Sequence, residues 1–379
     1  MSALERIAIV GAAESDHGRA PHLSPLGMMA QATARAAEDA GLTVGDIDGV
    51  FVITPYHHIT SLSYCETLQI FPRYHDTTQI GGCTFIAFLR HAAAAIAAGM
   101  CEVAVIAYGS SQRSDAGKLV SASEIPNLEI PYGASYPISS FAMIAQRHMH
   151  EHGTTPEQMA AVAVAHREWA SLTDSAFYRD PITVEDVLAS PMISSPIHRL
   201  DCCAVTDGGG AVIVTTRERA RDLRRAPIRV LGAAEGYTHR SVSAMADLTV
   251  SAAAQTGPTA FGEAGVRPAD IDVLQLYDAF TISPIVMLED LGFCAKGEGG
   301  PLYASGRTRP GGDLPTNTNG GGLSYCHPGM LSIFLLIEAI RQLRGECGAR
   351  QVPDAELALV HGLGGAFAGA ATAILARGD

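Results

Sequence analysis

A short segment of this chain occurs twice, and the repeat limits the possible folds more than any other feature. The segment AGLTVGDIDGVFVI begins at Ala40 and AGVRPADIDVLQLY begins at Ala264; they align without a gap and share Ala-Gly and Asp-Ile-Asp. Each copy is typical of a helix end, a turn and a strand. A weaker pair of apolar helices is predicted to end at Gly99 and Gly345, because glycine is a helix-stop signal. The sequence therefore predicts two related halves.

Short β-branched runs alternate with alanine-rich stretches along the chain, for example at residues 103–108 and 357–360. This alternation predicts an α/β fold. A length of 379 residues with 47% hydrophobic residues suits two domains or one large duplicated unit with an extensive core. We expect a first half at residues 1–225 and a second half at residues 226–379.

A segment that does not repeat, residues 110–196, is predicted to be an insertion in the first half. Insertions of this kind usually cover a site. It contains the only tryptophan, Trp169, and three histidines at every second position, His148, His150 and His152. On a helix this spacing spreads side chains around the surface, so we expect a solvated helix end without chemistry.

Charge and cysteine usage narrow the class of protein. The formal net charge of −13 argues against binding to nucleic acid or an anionic membrane. The N-terminal residues run directly into a strand pattern, and no apolar run approaches the length of a membrane span. Eight scattered cysteines fit a reduced thiol pool, and adjacent Cys202 and Cys203 lack the second pair of a zinc site. We therefore expect a cytoplasmic protein without a metal site.

The segment NTNGGGLSYCHPG, residues 317–329, contains the strongest candidate for chemistry. His327 follows a glycine triplet and precedes Pro328 and an apolar helical pattern. Glycine allows close approach of the backbone to a ligand, and proline is tolerated in the first turn of a helix. His327 is therefore predicted to lie at the start of a helix beside a ligand.

Two motifs and two supporting segments give the chain a resemblance to the thiolase superfamily, in its sterol-carrier or lipid-transfer-protein-type branch. The motifs are Tyr277-Asp278-Ala279-Phe280, similar to the branch's His-Asp-x-Phe, and Cys326-His327-Pro328, similar to Gly-His-Pro. The supporting segments are DGGGAVIVTT from Asp207 and LEDLGFCAKGEGG from Leu288. The resemblance covers nearly the whole chain. It implies a duplicated thiolase fold of five αβαβα layers, with an inserted loop domain in the first half.

The other two fingerprints of the family depart from its pattern. In the family that the chain resembles, the nucleophilic cysteine lies a set distance before the glycine that ends the following helix. Counted back from Gly99, that position is Gly82, one residue before Cys83. One residue turns a helical side chain by about 100°. Cys83 therefore remains open as either a buried thiol or a nucleophile. The late Cys-x-Gly fingerprint reads His361-Gly362-Leu363-Gly364-Gly365, so the proton-shuttling thiol is missing and His361 is a candidate acid or base.

The remaining pattern is similar to that of the steroid side-chain aldolases, which are thiolase-like lyases that cleave a β-hydroxyacyl-CoA by a retro-aldol reaction. The resemblance implies that Tyr277 and Tyr325 divide the acid and base duties. His327 would donate a hydrogen bond to the enolate oxygen, and Asp278 would orient neighbours or satisfy a turn. Glycines of the two loops are assigned to substrate binding: Gly321, Gly322, Gly364 and Gly365.

Two alternative functions stay open at this point: an acetyl-CoA acyltransferase that uses Cys83, and a non-catalytic subunit that binds acyl-CoA. The resemblance further implies coenzyme A as part of the substrate, with no covalently bound cofactor. It also implies a homodimer and a small OB-fold or zinc-ribbon partner protein.

Overall fold

The computed structural model describes residues 2–115 and 129–378; residues 116–128 of the predicted insertion lie outside the described residues. The described residues form eleven strands: β1 (Ile7–Glu14), β2 (Gly49–Val52), β3 (Tyr74–Asp76), β4 (Val103–Ser110), β5 (Met192–Ser194), β6 (Ile197–His198), β7 (Gly208–Thr216), β8 (Ile228–Tyr237), β9 (Val273–Leu276), β10 (Leu357–Gly364) and β11 (Gly369–Arg377).

Twelve α-helices connect these strands within the same residues: α1 (Pro25–Ala40), α2 (Thr60–Leu68), α3 (Thr84–Ala97), α4 (Ile138–His152), α5 (Pro156–Ser171), α6 (Val184–Ala189), α7 (Arg217–Ala220), α8 (Ala253–Ala264), α9 (Ile282–Asp290), α10 (Gly299–Ala304), α11 (Gly321–Ser324) and α12 (Ser332–Arg344). None of the helices in the described residues is both long enough and apolar enough to cross a membrane.

The repeated segment adopts the same local structure in both copies. α1 ends at Gly41 with φ 77° and α8 ends at Gly265 with φ 68°. Glycine takes this left-handed conformation without the strain that a Cβ would cause. A 3-10 turn follows in each copy, at Val44–Asp46 and at Pro268–Asp270, and then β2 or β9 begins. The predicted order of helix end, turn and strand is confirmed.

The order of strands in the main sheet repeats as well. The sheet runs β3-β2-β4-β7-β1-β8-β11-β10-β9. In the first half, β2 is parallel to β4, whereas β4, β7 and β1 pair antiparallel; in the second half, β9, β10, β11 and β8 repeat this pattern. The halves join where β1 pairs with β8. The predicted boundary near residue 225 lies between α7 and β8, and the division into two domains stays a prediction.

Helices and strands stack in five layers. α1 packs against the outer face of the first half, on β1, β4 and β7, and α8 packs against the outer face of the second half, on β8 and β11. Between the halves lie α3 and α12, which contact each other and strands of both halves. Most residues of both central helices are buried, as expected for helices that lie between two layers. The predicted αβαβα architecture is confirmed.

The described part of the insertion is largely helical, since it supplies α4, α5 and α6. α5 packs against α10 and α11 and so lies over the glycine-rich loop. The prediction of a solvated helix end is wrong for His148, which is fully buried. Its Nε2 lies 2.9 Å from Oε2 of Glu289 and its Nδ1 lies 2.8 Å from Oγ1 of Thr154. A partner distant in sequence satisfies the ring, and the spacing of the histidines gives no sign of that contact.

Candidate active site

Tyr277 and His327 meet at the centre of the fold. Tyr277 follows the last residue of β9, and His327 follows the short helix α11. The phenol oxygen of Tyr277 lies 3.2 Å from Nε2 of His327 and 3.4 Å from the carbonyl oxygen of Gly329. The rings meet edge to face, with centroids 5.5 Å apart. The structure therefore joins two of the three predicted catalytic residues in one hydrogen-bonded pair.

Burial keeps both members of this pair uncharged at neutral pH. It lowers the pKa of His327 to about 4, because the imidazolium would lose its hydration. It likewise raises the pKa of Tyr277 well above the ordinary value of a phenol. A neutral imidazole beside a neutral phenol can pass a proton in either direction, as general acid and base catalysis requires.

The phenol of Tyr277 occupies the space above Gly82, just before α3 begins. A Cβ on Gly82 would lie 2.6 Å from both Cζ and Oη of Tyr277, and closer still to Cε2. Carbon atoms in contact are normally about 3.5–4.0 Å apart, so a side chain at this position and the phenol exclude each other. Gly82 is the residue predicted to stand in the family's nucleophile position, and Tyr277 fills the space that a side chain at residue 82 would need.

Cys83 lies one residue further on and is buried against the end of β10. Its thiol donates a hydrogen bond to the carbonyl oxygen of Ile80 at 3.4 Å. A Cβ added to Gly362 would lie 2.9 Å from Cα of Cys83. The structure therefore has no room for a cysteine side chain at residue 362. Burial raises the pKa of the Cys83 thiol to about 12, which leaves almost no nucleophilic thiolate at neutral pH.

Asp278 fixes the loop that carries His327. Its Oδ1 accepts a hydrogen bond from the backbone of Gly322 at 2.7 Å, and its Oδ2 accepts one from the backbone of Leu323 at 3.1 Å. These groups belong to the first turn of α11, where a carboxylate satisfies unpaired N–H groups. Nδ1 of His166, from α5, lies 2.7 Å from Oδ2 of Asp278, and neither side chain is exposed.

Tyr325 lies in a different cluster. Its hydroxyl donates to Oε2 of Glu14 at 2.8 Å and lies 2.9 Å from Nε2 of His17. Nη1 of Arg341 also donates to Oε2 of Glu14 at 2.9 Å. Burial alone would raise the pKa of Glu14, but Arg341 and His17 together hold it below its usual range, so the carboxyl is ionised. Tyr325 is 2% exposed and both of its hydrogen-bonding directions are filled.

His361 faces the outer helix of the second half. Its Nδ1 lies 2.8 Å from Oγ1 of Thr372 on β11, and Thr372 is hydrogen-bonded to Thr256 of α8 at 2.7 Å. Burial lowers the pKa of His361 to about 3, so the ring is neutral. The backbone carbonyl of His361, by contrast, accepts from the amide of Tyr277 at 3.0 Å and holds that residue against β10.

The four glycines assigned to substrate binding have different surroundings. An added Cβ on Gly321 would collide with Oδ2 of Asp278, and one on Gly322 would lie 3.0 Å from Cδ2 of His327. Gly364 packs closely against the carbonyl of Ile80. Gly365, with φ 62°, is the one of these four that is partly exposed. The first three permit contacts within the protein, and Gly365 lies at the accessible turn.

Several polar partners of the predicted residues were missed in the sequence: Glu14, His17 and His166. Glu14 and Tyr325 are 311 residues apart, and His166 and Asp278 are 112 residues apart. None of the three belongs to a short motif. Only the three-dimensional arrangement pairs them with the motif residues.

The layered fold and the Tyr277–His327 pair at the start of two central helices define a thiolase-fold protein. Residues 234–377 match the thiolase C-terminal domain-like family. The chain is 34% identical to an acetyl-CoA acetyltransferase of Methanothermobacter thermautotrophicus, over 98% of this chain and 99% of that protein. It is 36% identical to the 17-hydroxy-3-oxo-4-pregnene-20-carboxyl-CoA lyase of Mycobacterium tuberculosis, over 89% of this chain and 91% of the lyase. Among solved structures, the Ltp2-ChsH2(DUF35) aldolase matches with a TM-score of 0.90 and 32% identity, over 98% of each chain.

The chain belongs to the thiolase superfamily, in the lipid-transfer-protein-type branch predicted from its motifs. These relatives include carbon–carbon lyases as well as an acyltransferase. The choice between the two reactions therefore depends on the residues of the site itself.

Proposed function

We propose that this protein is a lyase that cleaves a β-hydroxyacyl-CoA thioester into a short acyl-CoA and a ketone or aldehyde by a retro-aldol reaction. One observation carries the proposal: the phenol of Tyr277 fills the space above Gly82, the position at which the family resemblance places the acyl-accepting cysteine. Thiolase chemistry needs a thiol nucleophile. A retro-aldol reaction needs only proton transfer and stabilisation of an enolate, which a phenol and an imidazole supply.

The proposed proton path runs from the substrate through Tyr277 to His327. As the β-hydroxyl gives its proton to the phenol oxygen of Tyr277, the phenol passes its own proton to Nε2 of His327, 3.2 Å away. The former O–H electron pair forms the product carbonyl. The Cα–Cβ bond breaks, and its electron pair becomes the enolate of the shorter thioester.

The charged imidazole of His327 then faces a newly formed anion. It donates a hydrogen bond to the enolate oxygen, and its proton returns through Tyr277 to Cα, which yields the acyl-CoA. One proton leaves the hydroxyl and one reaches Cα, so the step balances without water or an oxidant. The low pKa of His327, about 4, makes the imidazolium a strong acid for this return.

The other predicted site residues take supporting positions in this proposal. Asp278 holds the His327 loop, and Cys83 is an inert core thiol. Tyr325 stays a proposed second acid or base. Its hydroxyl would have to leave Glu14 or His17 to reach the substrate. His361 contributes its carbonyl to the strand pairing of Tyr277.

Substrate and partners are proposed from the relatives. The lyase of Mycobacterium tuberculosis is named for a pregnene carboxyl-CoA, which supports a steroid side chain as the acyl group. The aldolase structure is named for two proteins, Ltp2 and a DUF35 protein, which supports a small partner subunit here. A homodimer is proposed because β3 lies at an open edge of the sheet and nearby Phe71 is 95% exposed. Coenzyme A enters as part of the substrate, in the cytoplasm.

An acyltransferase remains the second candidate, since the acetyl-CoA acetyltransferase relative matches nearly the whole chain. A panel of β-hydroxyacyl-CoA thioesters, offered to the purified chain alone and with its small partner protein, separates the two reactions. Release of a short acyl-CoA without added coenzyme A supports the lyase. Strict dependence on free coenzyme A refutes it and supports the acyltransferase. Tight binding without turnover also refutes the lyase and supports a non-catalytic subunit.

Variants of the two tyrosines assign the roles in the same assay. Tyr277→Phe keeps the ring over Gly82 and removes only the hydroxyl, so we expect kcat to fall by about 10²–10⁴. A rate close to that of the unaltered protein would contradict the proposed path. Tyr325→Phe measured beside it shows whether the second phenol takes part. A comparable loss of kcat would support an acid or base role for Tyr325.

A further inference from the structure

The segment before the glycine triplet forms a last, partial strand on the open edge of β9. The amide of Leu274 donates to the carbonyl of Pro315 at 2.9 Å, and the amide of Asn317 donates to the carbonyl of Leu274 at 2.9 Å. Thr316 therefore lies opposite Leu274 in parallel pairing. Two residues later β9 ends at Leu276, directly before Tyr277, but by then this segment has turned away.

The turn takes place at Asn317, whose φ is 53°. Asparagine is among the few residues other than glycine that tolerate this left-handed conformation. The carbonyl of Asn317 accepts from the amide of Gly320 at 2.8 Å and so begins the glycine loop. Because the backbone leaves the sheet here, Leu276 loses the backbone partner that a longer strand would have provided.

The side-chain amide of Asn317 replaces that missing partner. Its Oδ1 accepts from the amide of Leu276 at 2.7 Å, and its Nδ2 donates to the carbonyl of Leu276 at 2.8 Å. Asn317 is completely buried, and an added Cβ on Gly321 would lie only 2.6 Å from its Nδ2. The side-chain amide of Asn317 thus continues the hydrogen bonding along the edge of β9 after the backbone of the neighbouring segment has turned away.

We propose that Asn317 is a positioning residue, which sets the phenol of Tyr277 relative to His327 without touching the substrate. The kinetic test of this inference rests on the proposed function, whereas the hydrogen-exchange test does not. Asn317 fixes Leu276, the residue directly before Tyr277, while its own backbone begins the loop that ends at His327. The two catalytic side chains therefore reach their 3.2 Å separation from a common anchor.

Only asparagine meets all the requirements of this position. The site needs one donor and one acceptor in peptide-like geometry, close to the backbone, at a positive φ. Aspartate has the right shape but loses the donor when ionised, and glutamine has the right groups on a longer side chain. Asn317→Asp therefore changes a single hydrogen bond, and that bond returns when the new carboxyl is protonated.

Steady-state kinetics of Asn317→Asp between pH 5.5 and 8 test the positioning role. At pH 8 the carboxylate opposes the carbonyl of Leu276, and we expect kcat to fall about 10–100-fold, since displacements near 1 Å cost about 10²-fold. KM should stay within about twofold, because Asn317 touches no substrate. Towards pH 5.5 kcat should recover relative to the unaltered protein, because burial raises the pKa of an aspartate.

Asn319→Asp is the matched comparison, since Oδ1 of Asn319 accepts from the amide of Gly321 at 2.9 Å and a carboxylate can accept the same bond. We expect a smaller loss of kcat in this variant, without recovery at low pH. A loss in Asn317→Asp that is equal at every pH would overturn the inference, as would unchanged kcat at every pH.

Hydrogen exchange tests the clamp independently of catalysis. In Asn317→Ala the amide of Leu276 loses its acceptor, so its exchange, followed by NMR with ¹⁵N-leucine labelling, should accelerate at least about tenfold, as a lost bond of about 1.4 kcal/mol implies. Unchanged exchange would overturn the inference even in a folded, active variant. If the unaltered protein shows no lyase activity but exchange accelerates, the proposed function fails while the clamp stands.

Discussion

Replacement of Gly82 by alanine tests the central steric relation of the site. The new Cβ would lie 2.6 Å from Cζ and Oη of Tyr277, whereas ordinary contact begins near 3.4 Å. The ring must therefore move by about 1 Å, because the β-strand and helix starts around it are closely packed. No positive φ is recorded at Gly82, so the backbone itself accepts alanine.

A displacement of about 1 Å in a catalytic group costs about 10²-fold in rate. At 1.36 kcal/mol per factor of ten, this corresponds to about 2.7 kcal/mol of transition-state stabilisation. We expect kcat for β-hydroxyacyl-CoA cleavage to fall by that factor in Gly82→Ala. The same overpacking should lower the free energy of unfolding by about 1–3 kcal/mol.

Two comparisons isolate the contact between residues 82 and 277. Gly262 lies exposed on α8 with nothing within 4 Å of an added Cβ, so Gly262→Ala should raise stability by about 0.4–1 kcal/mol and leave kcat unchanged. In a Tyr277→Ala background, Gly82→Ala should cost almost no stability, because the clashing ring is gone. Unaltered activity and stability in Gly82→Ala would refute the assignment of the phenol to this space.

The remaining predictions concern three other side chains. Cys83→Ala should keep kcat/KM within about threefold and cost about 1 kcal/mol of stability, because it removes a small buried group and no nucleophile; loss of all activity would restore covalent chemistry. The hydrogen bonds that His91 donates to Asp76 and Glu235 raise the pKa of His91 to about 9, so the stability they provide is complete below about pH 6.5 and lost as the pH rises through 9. In denaturant titrations, the free energy of unfolding of the unaltered protein should therefore fall by about 1–2 kcal/mol more than that of His91→Gln between pH 6.5 and 10. This value is reduced because solvent screens the partly exposed His91. The acidic limb of kcat should be centred near pH 4, where His327 becomes charged, and a limb at the ordinary value near 6.5 would contradict a buried neutral base.

The fold was largely predictable because its determinants are local and duplicated. The Ala-Gly and Asp-Ile-Asp positions of the repeat become a helix end and a turn in both halves, and these depend on glycine conformation and short-range capping. The two largely apolar helices of the weaker repeat became the central helical layer, since a helix with so much apolar surface must be covered. Helix ends, turns and apolar helices each depend on fewer than twenty consecutive residues, so a single sequence is enough to recognise them.

The partners of the proposed catalytic side chains were not predictable in the same way. Tyr277 and His327 were identified from motifs, but no feature of the sequence separates Tyr325 from them. Tyr325 stands two residues before His327, yet its phenol is hydrogen-bonded to Glu14 on β1. In a tight glycine loop, the direction in which each side chain points depends on the φ and ψ of every residue before it. Such loops lack the fixed periodicity that helices and strands provide.

The repeat also explains how one framework can support different reactions. In the weaker repeat, Cys83–Gly99 corresponds to Gly329–Gly345, so the start of α3 and the start of α12 are equivalent positions in the two halves. The phenol of Tyr277 touches both, since it lies over Gly82 and within 3.4 Å of the carbonyl oxygen of Gly329. Helix N-termini favour negative charge by about 0.3–1 kcal/mol each, and more when partly buried. In the proposed reaction, an enolate formed beside Tyr277 would lie close to the starts of both helices and to His327. Under the proposed function, glycine at position 82 leaves no thiol there for acyl transfer, and the tyrosine that fills this space would supply the proton path for carbon–carbon cleavage.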